Sequence, residues 1–387
     1  MIFTNAHIYS DKMTFRDGSF QVQDGIFQKI SFEETIPASA GETVVDLKGK
    51  LVLPGLIDIH NHGNSGYDFS TCDYEGLEEI AGYLGRNGIT SFAATSMTMA
   101  YEKLEAAYHN AAKLYHRQQY GHLKASRLIG INMEGPYFSY GKKGAQDPKY
   151  LRLPDVEGFL KLYEESGRLI CLADVAPELE GGMEYIRKIS PICTVSIAHT
   201  EADYDTVCDA FACGATHMTH LFNGMNSIHH RKPGPVAAAF DTPGVFVELI
   251  CDGIHIHPSV IRMVFQLFRG RVILISDALA ACGKTDGRYE LGEQIVTVKG
   301  PYATLDDGTI AGSISNLYKM FQNAVKFGVA LEDAIAACTI NPAKQCHAAE
   351  MTGSITVGKY ADFLVADRDL HLEKVYIQGD LIKNDTF

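Results

Sequence analysis

No apolar run in this 387-residue chain approaches the roughly 18 residues needed to span a bilayer, so membrane-crossing helices are not expected. The opening MIFTNAHIYSDKMTF lacks a basic stretch followed by an apolar one, so a secretory leader is not expected either. No CxxC pair occurs among the nine scattered cysteines. Cys171, Cys193, Cys251 and Cys338 sit in apolar surroundings, where a reduced thiol acts as a small hydrophobe, and a cytoplasmic location follows. Positive charge is scarce: 34 lysines and arginines face 47 aspartates and glutamates, a formal net charge of −13. That balance argues against nucleic acid or an anionic membrane as a partner. It leaves room for an anionic small substrate, because a local cluster such as HHRKPG, His229 to Gly234, overrides the global field. No GxGxxG follows an early strand, which removes most support for a dinucleotide site. Internal repeats, low-complexity tracts and long linkers are also missing.

What is present is the composition of a globular enzyme, 46% apolar with a mean hydropathy of −0.04. The first fifty residues read as short strands, with Asp24 and Gly25 as a hairpin signal, and the last forty look alike. Between them, strand-like runs alternate with amphipathic stretches: LIDIH, ITSFAAT, RLIGINME, LICLADVA, TVSIAH, ATHMTH, VFVELICD and RVILISD. In YEGLEEIAGYLGRNG, Leu77, Ile80, Ala81 and Leu84 recur at helical spacing and Gly88 fits a C-cap; YEKLEAAYHNAAKLYHRQ is a second helix. The expected fold is an α/β (β/α)₈ TIM-type barrel, residues 53–346, with a small β-sandwich domain formed by both termini, residues 1–52 plus 347–387. A doubly wound open sheet is the alternative.

Six chemical groups stand at the carboxyl ends of these apolar runs, where α/β barrels assemble their active sites. They are His60, His62, Glu134, His199, His220 and Asp277. His60 and His62 are two apart on a strand, so both imidazoles point to one face. Taken singly, each has a plain structural explanation, as a polar strand terminus or a core histidine satisfied by hydrogen bonds. Together, imidazoles and a carboxylate on separate strand ends suit Zn²⁺ or Fe²⁺ better than Mg²⁺. Asp277 either caps a helix before ALAA or takes a proton from water beside a divalent cation, and its place on the last strand favours catalysis. Arg231, within THLFNGMNSIHHRKPGP, is read as a phosphate or carboxylate clamp, against a solvated surface loop. His255, in CDGIHIHPS, follows a strand and is either a substrate contact or a core histidine.

PGLIDIHNHG, MEGPYF, GKKGAQ, AHT, THLFNGM, HHRKPG, CDGIH, ISDA and TIAGSI, in this order, resemble the N-acetylglucosamine-6-phosphate deacetylases of the amidohydrolase superfamily. The closing GSITVGKYADFLVAD resembles the superfamily's return into a small β domain, so the likeness spans nearly the whole chain. It implies metal ligation by Glu134, His199 and His220. His60 and His62 match a His-x-His that some members keep and others replace; its presence favours a second cation with Glu134 as bridge. Asp277 matches the catalytic acid/base. Ala145, Asn223, Gly224, Arg231 and His255 match sugar-phosphate contacts, and Gly312 lines the same pocket. The resemblance also implies a homodimer in which the arginine matching Arg231 reaches the neighbour's phosphate.

Two departures stand out. Gln146 replaces a histidine that supports the acetamide carbonyl in some members, so that role falls to the metal or to a Gln donor. ALAACG after Asp277 differs from the commoner Ala-Met or Ala-Thr versions. No strand-end lysine suited to carboxylation stands out, which counts against dihydroorotase and hydantoinase relatives. The expected reaction is metal-dependent hydrolysis of an amino-sugar phosphate acetamide, with one or two divalent cations per subunit. A deacetylase for N-acetylgalactosamine 6-phosphate is the nearest rival. Adenosine- or guanine-type deaminases and a non-catalytic scaffold are the more distant ones.

Overall fold

The computed structural model describes residues 1–120 and 124–383. Eight strands pair in parallel, each with the next in chain order: Leu56–Asn61, Ile89–Ser96, Arg127–Met133, Ile170–Val175, Thr194–Ile197, His217–Met218, Phe246–Ile250 and Val272–Ile275. They coincide with the eight apolar runs read from the sequence, and are called the first to eighth barrel strands below. Every residue of the first, second, fourth and eighth strands is buried. Burial on both faces is why these segments read as unbroken apolar runs rather than alternating ones. The ring closes between the first and eighth strands through backbone hydrogen bonds at their carboxyl ends. Asp277 N–H donates to His60 O and His62 N–H to Ala278 O, both at 2.9 Å. The result is a nearly closed barrel whose seam lies at the level of the candidate site.

Helices pack around this barrel. Tyr74–Arg86 begins at Asp73, whose carboxylate accepts from Gly76 N–H at 2.9 Å, and buries Leu77, Ile80, Ala81 and Leu84. It stops at Asn87 and Gly88, the glycine having φ +84°. Tyr101–Gln118 buries Leu104, Tyr108, Ala111 and Leu114 along one stripe. Among the described residues no helix is long and apolar enough to cross a membrane.

One element was not anticipated. After the eighth strand the chain forms an antiparallel meander, Gly287–Leu291, Gln294–Lys299 and Tyr302–Thr304, before the helix Leu317–Lys326. Its strands are short and half exposed, so they carry no long apolar run to announce them.

The chain ends build a separate eight-stranded sheet. Leu51–Pro54 lies at its centre, parallel to Ile2–Tyr9 on one side and antiparallel to Phe363–Ala366 on the other. Asp24 and Gly25, both at positive φ, make the tight turn between Phe15–Gln23 and Ile26–Ser31 that the sequence pair indicated. Phe27 and Phe363 lie on strands four steps apart, roughly 19 Å in a flat sheet. Their ring centroids are nonetheless 6.0 Å apart, so the sheet curls over its own aromatic core in the manner of a sandwich. From its central strand the chain passes through Gly55 directly into the first barrel strand.

Candidate active site

Each chemical group leaves its strand at the same level. His60 is within the first strand and His62 just beyond it; Glu134 follows the third strand immediately. His199, His220 and Asp277 stand two residues past the fifth, sixth and eighth strands. All three adopt left-handed backbone, with φ of 43°, 27° and 46°. That conformation costs a non-glycine residue roughly 1–2 kcal/mol, and here it turns the chain sharply enough to aim each side chain into the barrel mouth. Two glycines make room for these turns. A Cβ on Gly224 (φ +60°) would lie 2.9 Å from His199 Nδ1, and one on Gly312 (φ +52°) 2.8 Å from Asp277 O.

Glu134 is the hub. Its Oε1 lies 3.2 Å from His199 Nε2, 3.1 Å from His220 Nε2 and 3.5 Å from His60 Nε2. Its Oε2 lies 3.4 Å from His62 Nε2. Two ligand groups therefore share it, His60–His62–Glu134 and Glu134–His199–His220. Asp277 borders the first, with Oδ1 3.3 Å from His62 Nε2 and 3.7 Å from His60 Nε2. The helix-cap alternative for Asp277 falls away, because no helix follows it and its backbone is left-handed.

The far side of each imidazole fixes its tautomer. Nδ1 of His62, His199 and His220 faces the backbone carbonyls of Thr95 (3.1 Å), Lys142 (2.8 Å) and Asn223 (3.2 Å). A carbonyl only accepts, so each Nδ1 carries a proton and, in the neutral ring, each Nε2 turns a lone pair inward. His199 and His220 then set Nε2 atoms 3.1 Å apart, and the buried Nε2 of His60 has no hydrogen-bond partner. Lone pairs converging on each other and on a carboxylate repel. A cation at the focus removes the repulsion, and two ligands about 2.1 Å from a tetrahedral ion sit roughly 3.4 Å apart, close to these spacings. The residues present fit divalent cations.

The negative field that suits a cation also favours protons on the histidines. Burial works against protonating His60 and His62, but Glu248, Glu134 and Asp277 outweigh it at His60, and Asp277 and Glu134 do so at His62, so both are raised. Burial likewise pushes Glu134 and Asp277 upward, yet the neighbouring histidines hold both below the ordinary carboxylate range. Asp277 is therefore ionised at neutral pH.

A cavity of about 350 Å³ opens above these groups. Of the substrate contacts implied by the resemblance, Ala145, Gln146, Asn223, Gly224, His255 and Gly312 line it. His60 lies beneath it, fully buried. Arg231 is exposed and does not line it. Gln146 is committed to Glu134: its Nε2 donates to Oε2 at 2.7 Å while its Oε1 accepts from Thr98 N–H at 2.8 Å. His255 pairs through Nδ1 with Asp252 Oδ2 at 2.7 Å. Burial opposes its protonation, and Asp252 overcomes that and raises it.

Sequence reasoning missed the apolar wall of Met97, Phe222, Ile254, Leu279, Leu291 and Ile310, of which Leu291 comes from the meander. It also missed the buried carboxylates inside the barrel, Asp58, Asp174 and Glu248. The signal for these was an acidic residue in an otherwise apolar run, as in LIDIH, LICLADVA and VFVELICD.

Known proteins place this geometry in context. The amidohydrolase family matches residues 51–382. An N-acetylglucosamine-6-phosphate deacetylase of Bacillus subtilis (strain 168) is 35% identical over 385 residues, 98% of this chain and 96% of its own. An N-acetylgalactosamine-6-phosphate deacetylase of Escherichia coli O157:H7 is 31% identical over 367 residues, 94% of each chain. Among solved structures, a mutant N-acetyl-D-glucosamine-6-phosphate deacetylase of Mycobacterium smegmatis, in complex with N-acetyl-D-glucosamine-6-phosphate, superposes with a TM-score of 0.90. It is 28% identical, with 99% of both chains covered.

Proposed function

The chain belongs to the amidohydrolase family, and from that premise we infer that it hydrolyses the acetamide of N-acetyl-D-glucosamine 6-phosphate, releasing glucosamine 6-phosphate and acetate. The observation that carries this reading is the meeting of two ligand groups at Glu134 with an ionised Asp277, at and just beneath the floor of one cavity. Glu134, His199 and His220 would hold one divalent cation, and His60 and His62, with Glu134 shared, a second. We read the donors as suited to Zn²⁺ or Fe²⁺.

A bound cation supplies Lewis acidity at the acetyl carbonyl and lowers the pKa of water within its reach. Asp277 accepts a proton at its carboxylate as water adds to the carbonyl carbon. The same carboxyl then delivers that proton to the nitrogen as the C–N bond breaks, because an amine leaves poorly unless protonated. Gln146 keeps Glu134 from rotating by holding its Oε2. Asn223, Gly224, His255 and the backbone at Ala145 and Gly312 are assigned to the sugar phosphate. Leu279 and Ile254 keep bulk water from the reacting end.

Arg231 is exposed outside its own cavity, and we assign it to the 6-phosphate in the neighbouring subunit of a homodimer. We place the enzyme in the cytoplasm, in keeping with its nine free thiols. The test is metal analysis coupled to acetate release from both 6-phosphorylated N-acetylhexosamines and their unphosphorylated forms. The glucosamine 6-phosphate derivative should turn over with the highest kcat/KM; a preference for the galactosamine epimer would move the reading to that deacetylase. Arg231→Ala should raise KM for the phosphorylated sugar alone, and an equal effect on both would remove the clamp.

A further inference from the structure

Three of the four inward-facing histidines are backed by neutral peptide carbonyls, at Thr95, Lys142 and Asn223. His60 differs. Its Nδ1 lies 2.9 Å from Oε2 of Glu248, a residue of the seventh barrel strand with no solvent exposure. A full negative charge at hydrogen-bond distance, unscreened by water, makes the opposite nitrogen a stronger donor than a carbonyl does. That opposite nitrogen is Nε2, which is buried, has no hydrogen-bond partner, and sits 3.5 Å from Glu134.

Glu248 is also held in place. Its Oε1 is 3.1 Å from Nε2 of His217, itself anchored by Gln345, and its Oε2 accepts from the backbone N–H of His220 at 3.2 Å. One carboxylate thus contacts a side chain from one ligand group and the backbone of a ligand from the other. The asymmetry lies in what it offers each: charge to the imidazole of His60, but only an acceptor to the peptide of His220.

We propose that Glu248 is the positioning residue that makes His60 a strong ligand, and so decides whether the His60–His62–Glu134 group holds its own cation. The inference rests on the two-cation reading above. Glu248 touches neither substrate nor the reacting atoms; it acts through the tautomer and donor strength of His60.

The test compares cation stoichiometry and affinity, by elemental analysis and by Zn²⁺ competition with a chromophoric chelator, in wild-type protein and Glu248→Gln. Removal of a partner behind a metal-binding imidazole typically costs 10–100-fold in affinity. The weaker of the two cations should lose about that factor in Glu248→Gln, while the other keeps its affinity. In a His60→Ala background, Glu248→Gln should change neither quantity. Equal losses at both sites, or no loss at either, would overturn the proposal while leaving two cations in wild-type protein. A single cation in wild-type protein would overturn the two-cation reading itself, and this inference with it. Should Glu248→Gln not fold, the histidine ¹H–¹⁵N spectrum of the zinc-loaded wild type decides. The Nδ1 proton of His60, donated to a carboxylate, should lie downfield of those donated to carbonyls, and coincidence with them would overturn the assignment.

Discussion

The terminal sheet and the barrel interior bury side chains of opposite character. Phe3, Phe20, Phe27, Phe363 and Tyr376 fill the sheet's core, with Phe3 and Phe20 stacked at 4.8 Å and Phe363 and Tyr376 at 4.5 Å. Inside the barrel, Asp58, Glu134, Asp174, Glu248 and Asp277 are buried together with His60, His62, His199, His217 and His220. Among the described residues no lysine is buried and the buried Arg127 acts on Asp362, so that acidic set is balanced by imidazoles and by whatever cations it binds. The aromatic core gains from the transfer of apolar area out of water. The polar interior has to overcome desolvation of every charge it holds. This fold keeps its cohesion in the sheet and in the apolar layers between strands and helices, and spends part of it on the mouth.

The contrast can be broken experimentally, beginning with the largest effect. Stripping divalent cations with a chelator should abolish acetate release and lower Tm, with both restored by Zn²⁺; full turnover in protein shown to be cation-free would erase the distinction. Asp277→Asn should lower kcat by about 10²–10⁴-fold with cation content and fold intact, as seen by steady-state kinetics and elemental analysis. Near-normal turnover would remove its role in proton transfer. Phe363→Ala should do the converse. It should destabilise the protein by about 3–5 kcal/mol in denaturant melts and leave kcat of the folded enzyme unchanged. A matching loss of kcat would mean that the sheet and the site are energetically one unit.

The smallest effect concerns pH. His255 is raised by Asp252, so the stabilisation from that pair is fully present below the ordinary imidazole value near 6.5 and is lost as pH rises through the raised one. Substrate binding that uses protonated His255 should therefore weaken on the alkaline side. Asp252→Asn should move that limb of the kcat/KM profile to lower pH, and an unmoved limb would exclude His255 as its source.

How much of this could be read beforehand differs by residue. All eight barrel strands were legible, because strands covered on both faces must be apolar throughout, as VILI of the eighth is. The six chemical groups were legible because each closes such a run. Glu248 was not: it lies within its run, and its partner His60 is 188 residues away. Gln146 is expected near the substrate and lines the cavity, yet nothing in its own run shows that its amide turns to Glu134. Arg231, which the resemblance assigns to a neighbouring subunit's phosphate, stands outside the cavity of its own chain. The meander, half solvated on short strands, left no periodic mark strong enough to separate it from a loop.

Sequence alone determined the barrel, its strand ends and the identity of the groups there, since burial on two faces and the hydrogen-bonding needs of a strand are local constraints written residue by residue. Only the tertiary structure decided that His60, of the four inward-facing histidines, is the one backed by a carboxylate, that Gln146 holds Glu134, and that Asp277 borders one of the two ligand groups. Those are distances between strands brought together by closure of the barrel, and no local pattern in the chain encodes them.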